Sequence, residues 1–196
     1  MPIERLAIKN MVCPRCIKVV YHVLEQCGAK VYEVQLGQAE VDSLDLTTVE
    51  CIRVALQKEG FELLEQRSDV VAECVKSCLI ALVYSDELPT KLSRKLSSYL
   101  AEQLQEDYAR LRASFHESEG IHINQYFIEL KIERVKELLS YRELNLTQIA
   151  RLLGYSSIGH LSAQFRKVTG LSPRQYQKLS NPPRRSPGEI GLNSKA

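Results

Sequence analysis

The chain has 196 residues, 44% of them hydrophobic and 26% charged, with a net charge of +2. That length allows one or two domains with buried cores, and no stretch approaches the roughly 20 uninterrupted apolar residues of a membrane-spanning helix. The opening Met1-Pro2-Ile3-Glu4-Arg5 lacks the charged-then-apolar pattern of a signal peptide, so a soluble, cytoplasmic protein with no membrane partner is expected.

Charge is unevenly shared. Residues 1–84 carry 9 basic and 12 acidic residues, a net −3, whereas residues 85–196 carry 17 and 12, a net +5. Seven basic residues and no acid fall within residues 144–188. A local basic field suits a polyanion such as nucleic acid, although a solvated basic face has the same composition. The six cysteines are Cys13, Cys16, Cys27, Cys51, Cys74 and Cys78. Such clustering in a cytosolic chain favours metal or redox chemistry over structural disulfides.

In chain order, residues 3–8 read as a strand with apolar Ile3, Leu6 and Ile8. After a cysteine loop, residues 16–26 fit a helix, because Ile17, Val20, Leu24 and Cys27 recur at helical spacing, and Gly28 suits the position after its end. Residues 30–36 and 38–44 read as strands around a turn at Gly37. Thr47-Thr48-Val49-Glu50 has capping-box spacing and opens a helix to about Glu59, closed by Gly60. Residues 61–64 read as the last strand. The βαββαβ order predicts a ferredoxin-like α+β domain over residues 1–67, with Cys27 and Cys51 in its core. Residues 70–84 predict an apolar helix within a connector spanning 68–90, offering a face for a homodimer contact, with Cys74 and Cys78 on one side as packing residues. Residues 86–90, around Pro89, form the expected domain break. Residues 91–180 read as an all-α domain, and residues 181–196, with three prolines within 182–187, are expected to be disordered.

The helical half repeats itself at an offset of 50 residues. Leu111-Arg112-Ala113-Ser114-Phe115, then Gly120-Ile121, match Leu161-Ser162-Ala163-Gln164-Phe165, then Gly170-Leu171. Upstream, Tyr99-Leu100-Ala101-Glu102-Gln103-Leu104 parallels Gln148-Ile149-Ala150-Arg151-Leu152-Leu153. Each unit is a short helix with a central Ala, a turn, and a second helix ended by Gly. The small residue lets two helices cross closely, as a helix-turn-helix requires. In the second unit Asn145 and Gln148 are spaced as a capping box, Gly154 ends the first helix, and Ser156 or Ser157 caps the next. Leu161, Phe165 and Val168 then share one face. Ser156, Gly159, His160, Ala163, Arg166 and Lys167 fall opposite; with Ser157 and Gln164 they are the candidate contacts to double-stranded DNA. Small and polar side chains admit base edges, and cations suit phosphates. In the first unit the corresponding candidates are Ala109, Arg110, Arg112 and Ala113, behind Gln105-Glu106-Asp107 where a Gly-containing turn is expected. A long helix over residues 124–141, rising about 25 Å, joins the units and could set two recognition helices one DNA turn, about 34 Å, apart.

On Ile149-Ala150-Arg151-Leu152-Leu153-Gly154-Tyr155-Ser156, His160-Leu161-Ser162-Ala163-Gln164-Phe165-Arg166-Lys167 and Thr169-Gly170-Leu171-Ser172-Pro173-Arg174-Gln175-Tyr176, residues 92–179 resemble the DNA-binding domain of AraC/XylS-type regulators. The resemblance implies sequence-specific DNA binding and transcription control, with RNA polymerase as a further partner. Tyr155, Leu161 and Arg166 stand where that family's pattern has Phe, Phe and Lys.

Asn10-Met11-Val12-Cys13-Pro14-Arg15-Cys16 lies between the first strand and the first helix. A helix N-terminus and Arg15 ease thiol deprotonation, and two soft sulfurs suit Cu(I), with Zn(II) as the alternative if further ligands join. Through Met11, Cys13 and Cys16, residues 3–66 resemble a heavy-metal-associated domain, with Asn10 replacing the usual Gly. Metal binding at Cys13 and Cys16, thiol redox sensing, and a structural module with incidental cysteines remain open. So do a metal chaperone and a metal-independent regulator whose front module dimerises. No motif for nucleotide-dependent, nucleophilic or paired-carboxylate catalysis is present, so no enzyme is expected.

Overall fold

Strand alternation, helix capping and left-handed turns organise the chain into a sheet module and a helical body. The computed structural model describes residues 3–85, 95–179 and 182–190. The front elements are β1 (Ile3–Lys9), α1 (Pro14–Gln26), β2 (Val31–Gln35), β3 (Gln38–Asp42), α2 (Leu46–Lys58) and β4 (Glu62–Leu64). The strands form one sheet in the order β2-β3-β1-β4, each neighbouring pair antiparallel. Leu6 lies opposite Ala39, and Ile8 opposite Leu63. Period-two alternation gathers Leu6, Ile8, Ala39 and Val41 into one core with Val20 and Leu24 of α1 and Ile52 and Leu56 of α2. The same alternation corrects the expectation for Ile3, which is out of phase with Leu6 and Ile8 and is 57% exposed.

Two helix starts differ from expectation. Helix α1 begins at Pro14, because proline's fixed φ and missing N–H suit the first helical turn. Helix α2 is capped by Asp45, whose carboxylate accepts the Thr48 amide at 2.7 Å; the Thr47–Glu50 box is not used, since an ionised carboxylate is the stronger acceptor at a positive helix end. Cys27 is half-buried, whereas Cys51 is exposed rather than a core residue.

Helix α3 (Arg67–Val83) corrects the notion of a connector with a free dimer face. Ala72, Val75, Leu79, Ile80, Leu82 and Val83 are buried in the same cluster as the helices that follow. The apolar face is therefore consumed within the chain. The front module docks on this helix. Gly37, at φ +85°, turns so close that an added Cβ would lie 2.6 Å from the Ser77 hydroxyl. The Asn10 amide donates to buried Glu73 at 3.3 Å, and Lys76 joins Glu73 to Glu119 at 2.8 and 2.9 Å.

The helical body continues with α4 (Leu96–Leu104), α5 (Tyr108–Glu119), α6 (Ile123–Tyr141), α7 (Leu146–Leu152), α8 (Ile158–Thr169) and α9 (Pro173–Gln177). Leu100, Phe115, Leu130, Val135, Ile149, Phe165 and Tyr176 share one apolar cluster with α3. The expected break at residues 86–90 lies outside the described residues, as do residues 181 and 191–196. Residues 182–190 correct the expectation of a disordered tail: they form a strap across α6. Ile190 is 2% exposed in the helical core, Arg185 pairs with Glu129 and Glu133 at 3.1 and 3.2 Å, and Pro187–Glu189 form a 3-10 turn. Composition signalled disorder because prolines make no ladder; here apolar and ionic anchors outweigh that tendency. Among the described residues, no helix is long and apolar enough to cross a membrane.

Candidate nucleic-acid interface

The second unit is built by its caps. Asn145 accepts the Gln148 amide at 3.0 Å, and the Gln148 side chain accepts the Asn145 amide at 2.9 Å, closing a reciprocal box at the start of α7. Gly154 turns the chain at φ +65°. The Ser157 hydroxyl then accepts the His160 amide at 3.0 Å and starts α8. Leu161 and Phe165 are fully buried, while Ser156, Ser157, Gly159, His160, Ala163, Arg166 and Lys167 are exposed.

The first unit reaches the same geometry with different residues. Gln105 takes the left-handed conformation at φ +49° in place of the glycine. Asp107 replaces Ser157 as the cap, accepting the Ala109 amide at 2.8 Å. Helix α5 buries Leu111 and Phe115 and exposes Ala109, Arg110, Arg112 and Ala113. The acid ahead of this helix is partly neutralised within it, since Glu106 pairs with Arg110 at 3.1 Å.

A family model described as a helix-turn-helix domain matches residues 100–179. Residues 100–179 are thus similar to a helix-turn-helix domain. The transcriptional activator RhaR of Salmonella dublin is 32% identical over 101 residues, 49% of this chain and 36% of its own length. The probable transcriptional regulator LumQ of Photobacterium leiognathi is 29% identical over 143 residues, 73% of this chain and 55% of its own length. The chain thus spans about a third to a half of the length of these curated relatives. Among solved structures, the C-terminal domain of AraT, a response regulator from Geobacillus stearothermophilus, is 25% identical with a TM-score of 0.46, over 54% of this chain and 84% of that one.

Within residues 100–179, two expected contact residues are tied up locally. Gln164 is half-buried and accepts the Tyr155 hydroxyl at 2.7 Å, so it braces the turn rather than standing free. His160 lies 3.2 Å from the Ser156 hydroxyl through Nδ1 and edge-on to Tyr155. Gly159 is not demanded by the fold: a Cβ there would meet only the Ser157 hydroxyl at 3.7 Å, an ordinary contact.

Sequence reasoning missed three features. Arg151 is exposed and, with Thr147, Ser156 and Ser157, lines a groove of about 500 Å³ beside the turn; its basic charge ahead of Gly154 was the available signal. The repeat also runs on to Tyr126 and Tyr176, again 50 apart, which pack edge-on against Phe115 and Phe165 at 5.6 and 5.4 Å. Their hydroxyls donate to the Pro187 and Pro183 carbonyls of the strap at 3.2 and 2.7 Å. Finally, Lys131 of α6 is 8% exposed, 3.8 Å over the Tyr155 ring. Burial pushes its pKa down to about 8. A cation between two apolar patches of α6 gives no periodicity signal.

At the front, Cys13 caps α1 and its Sγ lies 3.5 Å from that of Cys16. Burial pushes the Cys13 thiol up, but hydrogen bonds from the Cys16 amide and thiol, with Arg15 nearby, outweigh this and leave its pKa below the ordinary value. Asn10 sits at φ +72°, which explains a glycine at this place in the resembled pattern: Asn tolerates the left-handed region better than most residues. Two adjacent thiols fit a soft cation that accepts two ligands, such as Cu(I). A four-ligand Zn(II) site finds no partners, for no group of three or more His, Cys, Asp or Glu able to hold an ion occurs among the described residues.

Proposed function

We propose that the chain is a cytoplasmic, sequence-specific DNA-binding transcription regulator of the AraC/XylS type, not an enzyme. The observation that carries this reading is the twice-built turn. In each unit a left-handed residue and a side-chain cap present a helix whose inner face is buried and whose outer face is short, polar and basic. Helix α8 is read as the principal recognition helix, through Ser156, Gly159, His160, Ala163, Arg166 and Lys167, with Arg151 on the adjoining phosphate backbone. Helix α5 is read as the second, held by α6, whose 19 residues span about 28 Å at 1.5 Å per residue. The βαββαβ sheet module is read as ferredoxin-like and, through Cys13 and Cys16, as the receptor for one soft metal ion that changes DNA binding or the contact with RNA polymerase. The 3.5 Å thiol contact favours a dithiol switch as the second reading.

Selection of bound duplexes by the full chain tests the central claim. Specific affinity should fall steeply with salt, because Lys and Arg contacts release counterions. Ala163→Glu should abolish specific binding while leaving the thermal transition in place, since the position is exposed and opens no cavity. Unchanged operator affinity in that variant would show that this face is not on DNA.

A further inference from the structure

A cavity of about 660 Å³ lies where the two halves meet. Its walls come from Val12 and Cys13 of the cysteine loop, Leu36 before the Gly37 turn, Ile80 and Ala81 of α3, and Tyr84. The rim is charged: Glu133 and Glu137 of α6 face Arg184 and Arg185 of the strap. This volume is within the range of small-molecule sites, which are largely apolar with a few placed polar groups and occur at domain junctions. Val12 and Leu36 are partly buried against the two apolar cores and Ile80 is buried, whereas Ala81, near the end of α3, is exposed.

The rim charges are not equally committed. Glu133 accepts from Lys136 at 2.7 Å and from the backbone and side chain of Arg185 at 3.0 and 3.2 Å. Glu137 accepts from Arg134 at 2.7 Å and from the Tyr141 hydroxyl at 3.0 Å. Arg184 reaches Glu137 only at 3.4 Å, with its side chain 39% exposed. The acids are thus satisfied by other donors, while Arg184 holds a long ion pair with donors to spare. Tyr84 stacks under Arg134, 4.6 Å from the guanidinium; burial and Glu137 push its pKa up to about 12, so it stays neutral.

We infer that this cavity binds an apolar organic acid of drug-like size, its hydrocarbon body against Val12, Leu36, Ile80 and Ala81 and its single anionic group on Arg184. The occupant would touch the sheet module, α3, α6 and the strap together, and so join the sheet core to the helix that carries both turn units. The existence of the site does not depend on the DNA-binding reading; its regulatory consequence does, because a ligand shifts only an equilibrium whose states it binds unequally.

The full chain is titrated with 8-anilinonaphthalene-1-sulfonate, an apolar aromatic anion, and with N-phenyl-1-naphthylamine, its neutral counterpart. The sulfonate should saturate at one site per chain. Ala81→Trp, which fills the cavity from an exposed position, should weaken both probes by about tenfold or more, as loss of one good contact surface does. Arg184→Gln should weaken the sulfonate about tenfold, the scale of a lost charge-assisted hydrogen bond, and leave the neutral probe within about twofold. Thermal melts confirm folding, and Arg184→Gln decides independently, because the strap keeps its Arg185, Tyr126, Tyr176 and Ile190 anchors. Non-saturating binding, or sulfonate affinity unchanged in Ala81→Trp, overturns the site. Equal loss of both probes in Arg184→Gln overturns the anionic class.

Discussion

Gly159 stands in the first turn of α8, where its backbone needs no positive φ and ordinary space awaits a methyl group. Glycine costs a helix about 1 kcal/mol relative to alanine, so nothing internal to the fold favours it. Close approach of a DNA backbone would. Gly159→Ala should therefore raise stability by about 0.5–1 kcal/mol in denaturant melts while lowering operator affinity; a gain in both would remove Gly159 from the interface. Lys131 makes the opposite kind of bargain. Its folded pKa of about 8 lies below the ordinary 10.5, so the folded state disfavours the charged form. That penalty, on the order of 3 kcal/mol before the attraction of the Tyr155 and Phe127 rings offsets part of it, is fully present below pH 8. It disappears as pH rises from about 8 toward 10.5, because there the unfolded chain holds the proton and the folded one does not. Lys131→Met should accordingly stabilise the protein by about 1–2 kcal/mol near neutral pH. The advantage should shrink in urea melts approaching pH 10. A constant advantage across that range would mean that Lys131 is charged throughout.

At the scale of elements, the strap over residues 182–190 is held at several points. Ile190 enters the helical core, Arg185 bridges Glu129 and Glu133, and the paired Tyr126 and Tyr176 hydroxyls hold two of its carbonyls. The strap thus touches the two turn units at equivalent tyrosines. Ile190→Ala should cost about 2 kcal/mol or more, as truncation of a buried Ile does, read as a lower denaturation midpoint with an unchanged slope. No shift would mean that the strap is detached in solution. Helix α3 shows the complementary case: an apolar stretch that reads as a linker is the helix on which both the sheet module and α5 rest, with Gly37 against Ser77 and Lys76 against Glu119.

For the whole molecule, the proposed signal from the cysteine loop has a physical route, since Val12 beside Cys13 packs against the helical core. Cys13→Ser combined with Cys16→Ser should leave the fold intact, because Cys13 is outside the sheet core, Cys16 only packs partly buried against it, and Ser is close to Cys in size. It should abolish near-stoichiometric Cu(I) binding against a competing chelator, and with it any metal effect on reporter expression, while basal operator affinity persists. A full metal response in the double variant would exclude this loop as the sensor.

What the sequence determined by itself was whatever local physics enforces. Period-two alternation marked the strands, the Asn145–Gln148 spacing marked a cap, Gly154 and Gly170 marked left-handed ends, and the 50-residue repeat marked two equivalent units. These signals need only neighbours a few residues away, or comparison of one segment with another. The tertiary structure alone decided the rest, because each remaining feature depends on groups distant in the chain. Helix α3 proved to be core and not linker, and a proline-rich tail became a strap once Glu129, Glu133 and the core site for Ile190 were assembled opposite it. The cavity beside Arg184 belongs to the same class: its walls are contributed by five separate stretches, and no one of them carries its pattern.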